Sequence, residues 1–146
     1  MDAFTLLETD HEKVAGLFDS IETSDATGRA ALFAQVKKEL DIHSSIEETI
    51  FYPALKSHAE TRSLVGEAVA EHAEVKQLLQ QLTDMPVTDE TWMDTFAELR
   101  NDVEHHVAEE EDEMFVQARA ALSPEQITSL GQQMEAAKNQ QKTARA

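Results

Sequence analysis

Four histidines stand where apolar residues are expected. His11, His43, His72 and His106 each interrupt a stripe of apolar side chains spaced three or four residues apart, and two of them carry a glutamate four residues on: Glu47 after His43 and Glu110 after His106. Residues four apart lie on one face of a helix, a turn along, so both pairs project toward the interior with their stripes. A lone histidine on such a face is more often a hydrogen-bonded core residue than a ligand, and a lone His-Glu pair at this spacing is ordinary on a solvent face. Two interior carboxylates are harder to dismiss. Each costs several kcal/mol to bury unless it is paired or binds a cation. Four imidazoles and two carboxylates exceed what one tetrahedral zinc takes and match two metals bridged by the carboxylates. With one shared solvent oxygen, that set gives about five bonds to each metal, leaving about one position open on an octahedral iron or manganese. The remaining histidines do not fit. His58 lies beyond Pro53, and His105 points about 100° around the helix from His106; both read as surface residues.

Composition narrows the chemistry. The 146 residues contain no cysteine, which removes disulfides, thiolate nucleophiles, zinc fingers and Cys-ligated iron-sulfur clusters and leaves nitrogen and oxygen to hold any metal. The length suits one domain. Acidic residues number 29 against 12 basic ones, for a formal net charge of -17, which argues against nucleic acid or an anionic membrane as partner. No apolar run is long enough to span a bilayer and the first residues do not resemble a secretory signal, so a cytoplasmic setting is expected.

The elements that position these residues are helices. No segment alternates long enough to make a strand, and only 4 Gly and 3 Pro punctuate the chain. The first helix is predicted from about Asp2 to Thr23 on the stripe Phe4, Leu7, Val14, Phe18 and Ile21. The second starts near Thr27 to Arg29, buries Leu32, Val36, Leu40, Ile46, Ile50 and Ala54, and should kink at Pro53. The third spans about Thr61 to Thr83. The fourth follows Asp84-Met85-Pro86, with Thr88 as the expected N-cap and the stripe Trp92, Phe96, Leu99 and Val103. Ser123-Pro124-Glu125-Gln126 has the form of a capping box and opens a short fifth helix on Ile127, Leu130 and Met134, with a polar, frayed tail from about Lys138. The expected fold is all-α: an antiparallel up-down-up-down four-helix bundle over residues 1–122, then a short C-terminal helix and polar tail over 123–146.

The chain also repeats itself. His11 aligns with His72, each followed by Val three residues later, at an offset of 61; His43 and Glu47-Glu48 align with His106 and Glu110-Glu111 at an offset of 63, with Tyr52 and Phe115 at matching places. Two similar hairpins packed about a pseudo-two-fold axis would bring related residues face to face.

The full pattern, one His, then His-x-x-x-Glu, then one His, then His-x-x-x-Glu, resembles the hemerythrin-like family, the HHE cation-binding domain, over about residues 1–120. Glu47-Glu48-Thr49-Ile50-Phe51-Tyr52-Pro53 also looks like the family's helix-two signature. The resemblance implies a non-haem diiron centre, bridged by two carboxylates and an oxo or hydroxo group, with His11, His43, Glu47, His72, His106 and Glu110 as ligands. It is not the ferritin-like arrangement, which repeats Glu-x-x-His on two helices; here Glu8-Thr9-Asp10-His11 stands alone. The oxygen-carrying members have a further His four residues after the third-helix His, where this chain has Lys76, and their fourth-helix carboxylate is an Asp five residues after its His, whereas here it is Glu110, four after His106. Lys76 is a poor iron ligand while protonated. Tyr52 is the candidate to replace the missing imidazole or to act in catalysis, although its angle of about 140° from Glu47 on a regular helix favours a core or outer role. Glu39 and Asp102, each four residues before a ligand His, are candidates to steady those rings.

Three functions follow. One is reaction with a small oxidant, whether dioxygen, nitric oxide or peroxide, with the missing imidazole favouring catalase-like peroxide decomposition over reversible carriage. Another is an iron-handling or iron/oxygen-sensing module without turnover. The last is a structural bundle that binds nothing, which two buried carboxylates make improbable.

Overall fold

Capping side chains set where the helices begin. In the computed structural model, which describes residues 1–145, the Asp2 carboxylate accepts from the Thr5 N–H and opens α1 (Ala3–Glu22), and Asp25 accepts from the Gly28 N–H and opens α2 (Ala26–Ile46). Helical backbone continues from α2 through a π-helical segment, Glu47–Phe51, into α3 (Tyr52–Lys56). His58 occupies the N-cap position of α4 (Ala59–Asp84). The fourth rod repeats the second: α5 (Trp92–Glu109), a π-helical segment at Glu110–Met114, then α6 (Phe115–Ala121). Ser123 and Gln126 form the expected capping box, with Pro124 in the first turn of α7 (Pro124–Ala144). Short connections alternate the rods up and down, as the apolar stripes predict, and the described residues contain no strand.

Three expectations change. The fourth rod begins at Trp92 rather than after Thr88, because the Asp89 carboxylate accepts from both the N–H and the hydroxyl of Thr91 at 2.9 and 2.8 Å and holds residues 86–91 in turns. Those bonds keep the Asp89 carboxyl below its ordinary range. At Pro53, where a kink is expected, helical backbone continues, and the irregularity falls in the π-helical turn Glu47–Phe51 just before the proline. The fifth helix runs through Lys138 to Ala144 instead of fraying, tied down by Gln141, which donates to the Ser45 hydroxyl at 3.0 Å, and by Arg145 beside Asp41.

The core forms two apolar blocks. One gathers Phe4, Leu7, Phe51, Leu55, Met114 and Phe115, with Leu130 and Met134 of α7. The other gathers Phe18, Val36, Leu79, Trp92, Phe96 and Leu99. Burying each such side chain contributes about 1.5–3 kcal/mol. Close approach seats α7 on the start of α1: a Cβ at Gly131 would lie under 3.0 Å from backbone atoms of Met1, Asp2 and Ala3. Along each bundle rod the two blocks are separated by polar residues, between Leu7 and Val14 on α1, for example, by Asp10 and His11.

Candidate metal centre

That polar layer contains all six residues singled out by the stripes. His11, His43, His72 and His106 are buried, and Glu47 and Glu110 are 0% and 1% exposed. The imidazoles pair across neighbouring rods, His11 with His43 at 4.9 Å between ring centroids and His72 with His106 at 4.8 Å. Each carboxylate reaches into both pairs. Glu47 Oε1 is 3.1 Å from the Nε2 of His43 and of His72; Glu110 places Oε1 3.1 Å from His11 Nε2 and Oε2 3.4 Å from His106 Nε2. His11, His43 and Glu110 form one set of donors close enough to share an ion, and Glu47, His72 and His106 form another.

The opposite nitrogen of every ring is held by an outer carboxylate. Asp10 lies 2.9 Å from His43 Nδ1, Glu71 lies 2.7 Å from His106 Nδ1, Glu48 lies 3.0 Å from His72 Nδ1 and Glu111 lies 2.6 Å from His11 Nδ1. A carboxylate on Nδ1 fixes the proton there, so the Nε2 lone pair faces inward, as a metal-binding imidazole requires. The four contacts obey the sequence repeat: Asp10 corresponds to Glu71, and Glu48 to Glu111. Glu39 and Asp102 do not fill this role. Glu39 pairs with Lys13 at 2.8 Å, and His106 Nδ1 takes Glu71 rather than Asp102. A residue four before the ligand lies along the same helix, whereas each Nδ1 points across to a neighbouring rod. The visible signal was an acid immediately before His11 and His72 and the doubled Glu-Glu at 47–48 and 110–111.

Five of the inner donor atoms lack hydrogen-bond partners. The Nε2 atoms of His11 and His43, both oxygens of Glu47 and Oε1 of Glu110 are buried without a hydrogen bond, although oppositely charged neighbours lie within ion-pair distance. Buried polar atoms are seldom left this way, and inward-facing imidazole nitrogens with carboxylate oxygens are the donor chemistry that suits iron, manganese or zinc. The residues therefore fit a pair of cations. Without cations the site holds protons. Burial works against charge on His43, but Glu47 and Asp10 outweigh it and raise its pKa well above the ordinary value; burial likewise opposes ionisation of Glu110, yet the close imidazoles of His106 and His11 hold its carboxyl well below the usual range.

Both π-helical segments start at the glutamate of a His-x-x-x-Glu pair and close with a five-residue hydrogen bond, Tyr52 N–H to Glu47 C=O and Phe115 N–H to Glu110 C=O. The wider turn brings the fifth residue back toward the face of the glutamate, which is why Tyr52 turns inward despite its angle on a regular helix. Its buried hydroxyl donates to Glu110 Oε2 at 2.6 Å and lies 3.3 Å from His72 Nε2. Burial, together with the charges of Glu47 and Glu110, pushes the phenol pKa far up, so Tyr52 is a proton donor here rather than a tyrosinate. Lys76 points outward, 58% exposed and 3.6 Å from Glu48. His105 is exposed as expected, whereas His58 is half-buried at its cap.

A cavity of about 350 Å³ opens onto the layer. Val14, Phe18, Leu40, Val75 and Val103 make its walls apolar, His11, His43, His72 and His106 line it, and Glu104 and Asp112 stand at its exposed rim.

Residues 2–118 match the hemerythrin HHE cation-binding domain. The chain belongs to this family. The crystal structure of an HHE cation-binding domain-containing protein from Mycobacterium kansasii, a homologue of Rv2633c, superposes with a TM-score of 0.87 at 28% identity, over 99% of this chain and 89% of that one. The similarity thus extends over α7, past the end of the family match. The protein Rv2633c of Mycobacterium tuberculosis is 28% identical over 139 residues, 93% of this HHE chain and 84% of its own length. A DNA nickase of Nostoc sp. is 30% identical over 143 residues, 95% of this chain, but the chain spans only 40% of that relative. Among the described residues, no helix of the HHE chain is long and apolar enough to cross a membrane.

Proposed function

We propose that this HHE domain holds two iron ions and uses them to decompose a small neutral oxidant, foremost hydrogen peroxide. His11 and His43 would help hold one ion and His72 and His106 the other, with Glu47 and Glu110 supplying the carboxylates. The observation that carries this reading is the coincidence of partnerless inner donors with an apolar cavity that opens onto them. When bound, the ions supply the electrons exchanged with the oxidant. The chain supplies the rest. Asp10, Glu48, Glu71 and Glu111 orient the imidazoles; Tyr52 keeps a proton on its hydroxyl and fixes Glu110. The apolar walls favour a small uncharged molecule, and the acidic rim, like the net charge of -17, disfavours anions and polyanions alike. Outward-facing Lys76 supports a centre with one protein ligand fewer than the oxygen carriers have. That leaves room for turnover, in which two molecules of peroxide give two of water and one of dioxygen.

Oxygen evolution from peroxide by the iron-loaded protein tests the reading. Rapid evolution that is lost in Glu47→Ala and Glu110→Ala is the expected result. An iron-loaded protein that evolves no oxygen would instead be an iron-handling or sensing module, and a long-lived, reversible oxygenated spectrum would mark a carrier.

A further inference from the structure

We propose that Lys138 of α7 is a positioning residue for one of the two metals and not the other, acting by clamping Asp10, the carboxylate that orients His43. This rests on the two-ion reading above. Lys138 Nζ forms an ion pair with one oxygen of Asp10, and the other oxygen lies 2.9 Å from His43 Nδ1. The relay is buried: the side chains of Lys138 and Asp10 are 15% and 4% exposed. In this setting an ion pair is little screened, and removing one partner strands a charge.

The pseudo-two-fold mate of this arrangement has no such clamp. Glu71, the counterpart of Asp10, lies 2.7 Å from Nδ1 of His106, but among the described residues no Lys or Arg comes within 4 Å of it. Its other oxygen faces His105 at 3.7 Å, with the Glu109 carboxylate close by. The sequence explains the difference. Positions 105 and 109 correspond to Ile42 and Ile46 in the first half, which are 1% and 0% exposed. Ile46 shares its core block with Leu130 and Met134, so α7 docks on the first half and carries Lys138 to Asp10; an imidazole and a carboxylate at 105 and 109 offer no equivalent apolar seat. The Lys76 contact to Glu48 is longer and solvent-screened, and contributes little.

Removing an outer partner of a metal-binding imidazole typically weakens metal binding about 10–100-fold. Anaerobic titration of the metal-free full chain with ferrous iron, followed by calorimetry, separates the two ions, and Mössbauer spectroscopy reports on each. Lys138→Met is expected to weaken one binding step about 10–100-fold and shift one of two iron signals, leaving the other step and signal unchanged. Lys138→Arg should restore wild-type behaviour, and Asp10→Asn, which takes the carboxylate away from His43 Nδ1 directly, should reproduce the loss at one ion. Adding Lys138→Met to Asp10→Asn should change nothing more. The proposal is overturned if Lys138→Met titrates as wild type or weakens both steps equally, whatever Asp10→Asn does. A wild-type chain that takes up fewer than two ions defeats the two-ion reading and this proposal together, whereas wild-type uptake of two ions with unaltered variants defeats the Lys138 proposal alone.

Discussion

Glu47 and Glu110 matter because each touches an imidazole from both pairs, so either one removed should cost the paired site and not a single ligand. Glu47→Ala and Glu110→Ala are expected to lose most bound iron, while His58→Ala and His105→Ala keep it; equal iron content across all four variants would contradict the assignment. Protons compete for the same atoms. In the metal-free chain, burial opposes charge on His106, but the hydrogen bond and charge of Glu110 prevail and raise its pKa from 6.5 to about 9. A raised folded-state pKa adds stability that is fully present below 6.5 and is lost as pH rises through about 9. Melting temperatures of metal-free protein should therefore fall across that window, and more steeply than those of the iron-loaded form, whose imidazoles are neutral ligands. The six inner residues were legible because each breaks an apolar rhythm. The outer carboxylates were not, since in a chain with 29 acidic residues the right partner depends on how neighbouring rods face each other.

At the scale of elements, the capping box at Ser123 and the stripes of α1, α2, α4 and α5 could be read directly from residue spacing. The π-helical segments could not. Pro53 marks only one of them, and Glu110–Met114 forms without any proline, so the widened turn goes with its place after a buried glutamate rather than with a missing N–H. The length of α7 was hidden for a related reason: beyond Met134 its anchors are polar side chains, Lys138 and Gln141, whose partners lie on α1 and α2. Gly131 tests how closely that helix must approach. Gly131→Ala should destabilise the fold by about 1–3 kcal/mol through overpacking, measured by denaturant melts. Gly66→Ala, at an exposed helical site with nothing within 4 Å of the new methyl, should stabilise by about 0.5–1 kcal/mol.

For the whole molecule, two apolar blocks enclose a polar layer whose buried donors fit cations, and bound cations would make the formal charge of -17 less negative. Anything that binds the folded chain and not the unfolded one stabilises it, by about 2.7 kcal/mol when free ligand is 100 times its dissociation constant. Chelation of the loaded protein should therefore lower its melting temperature, and readdition of iron should restore it; a temperature indifferent to both would mean that the layer is satisfied by protons alone. The central claim is a count. Protein expressed with ample iron, purified without chelator and assayed for iron against protein concentration should carry about two ions per chain, the number that its paired donors can hold. A content below about half an ion per chain would contradict it.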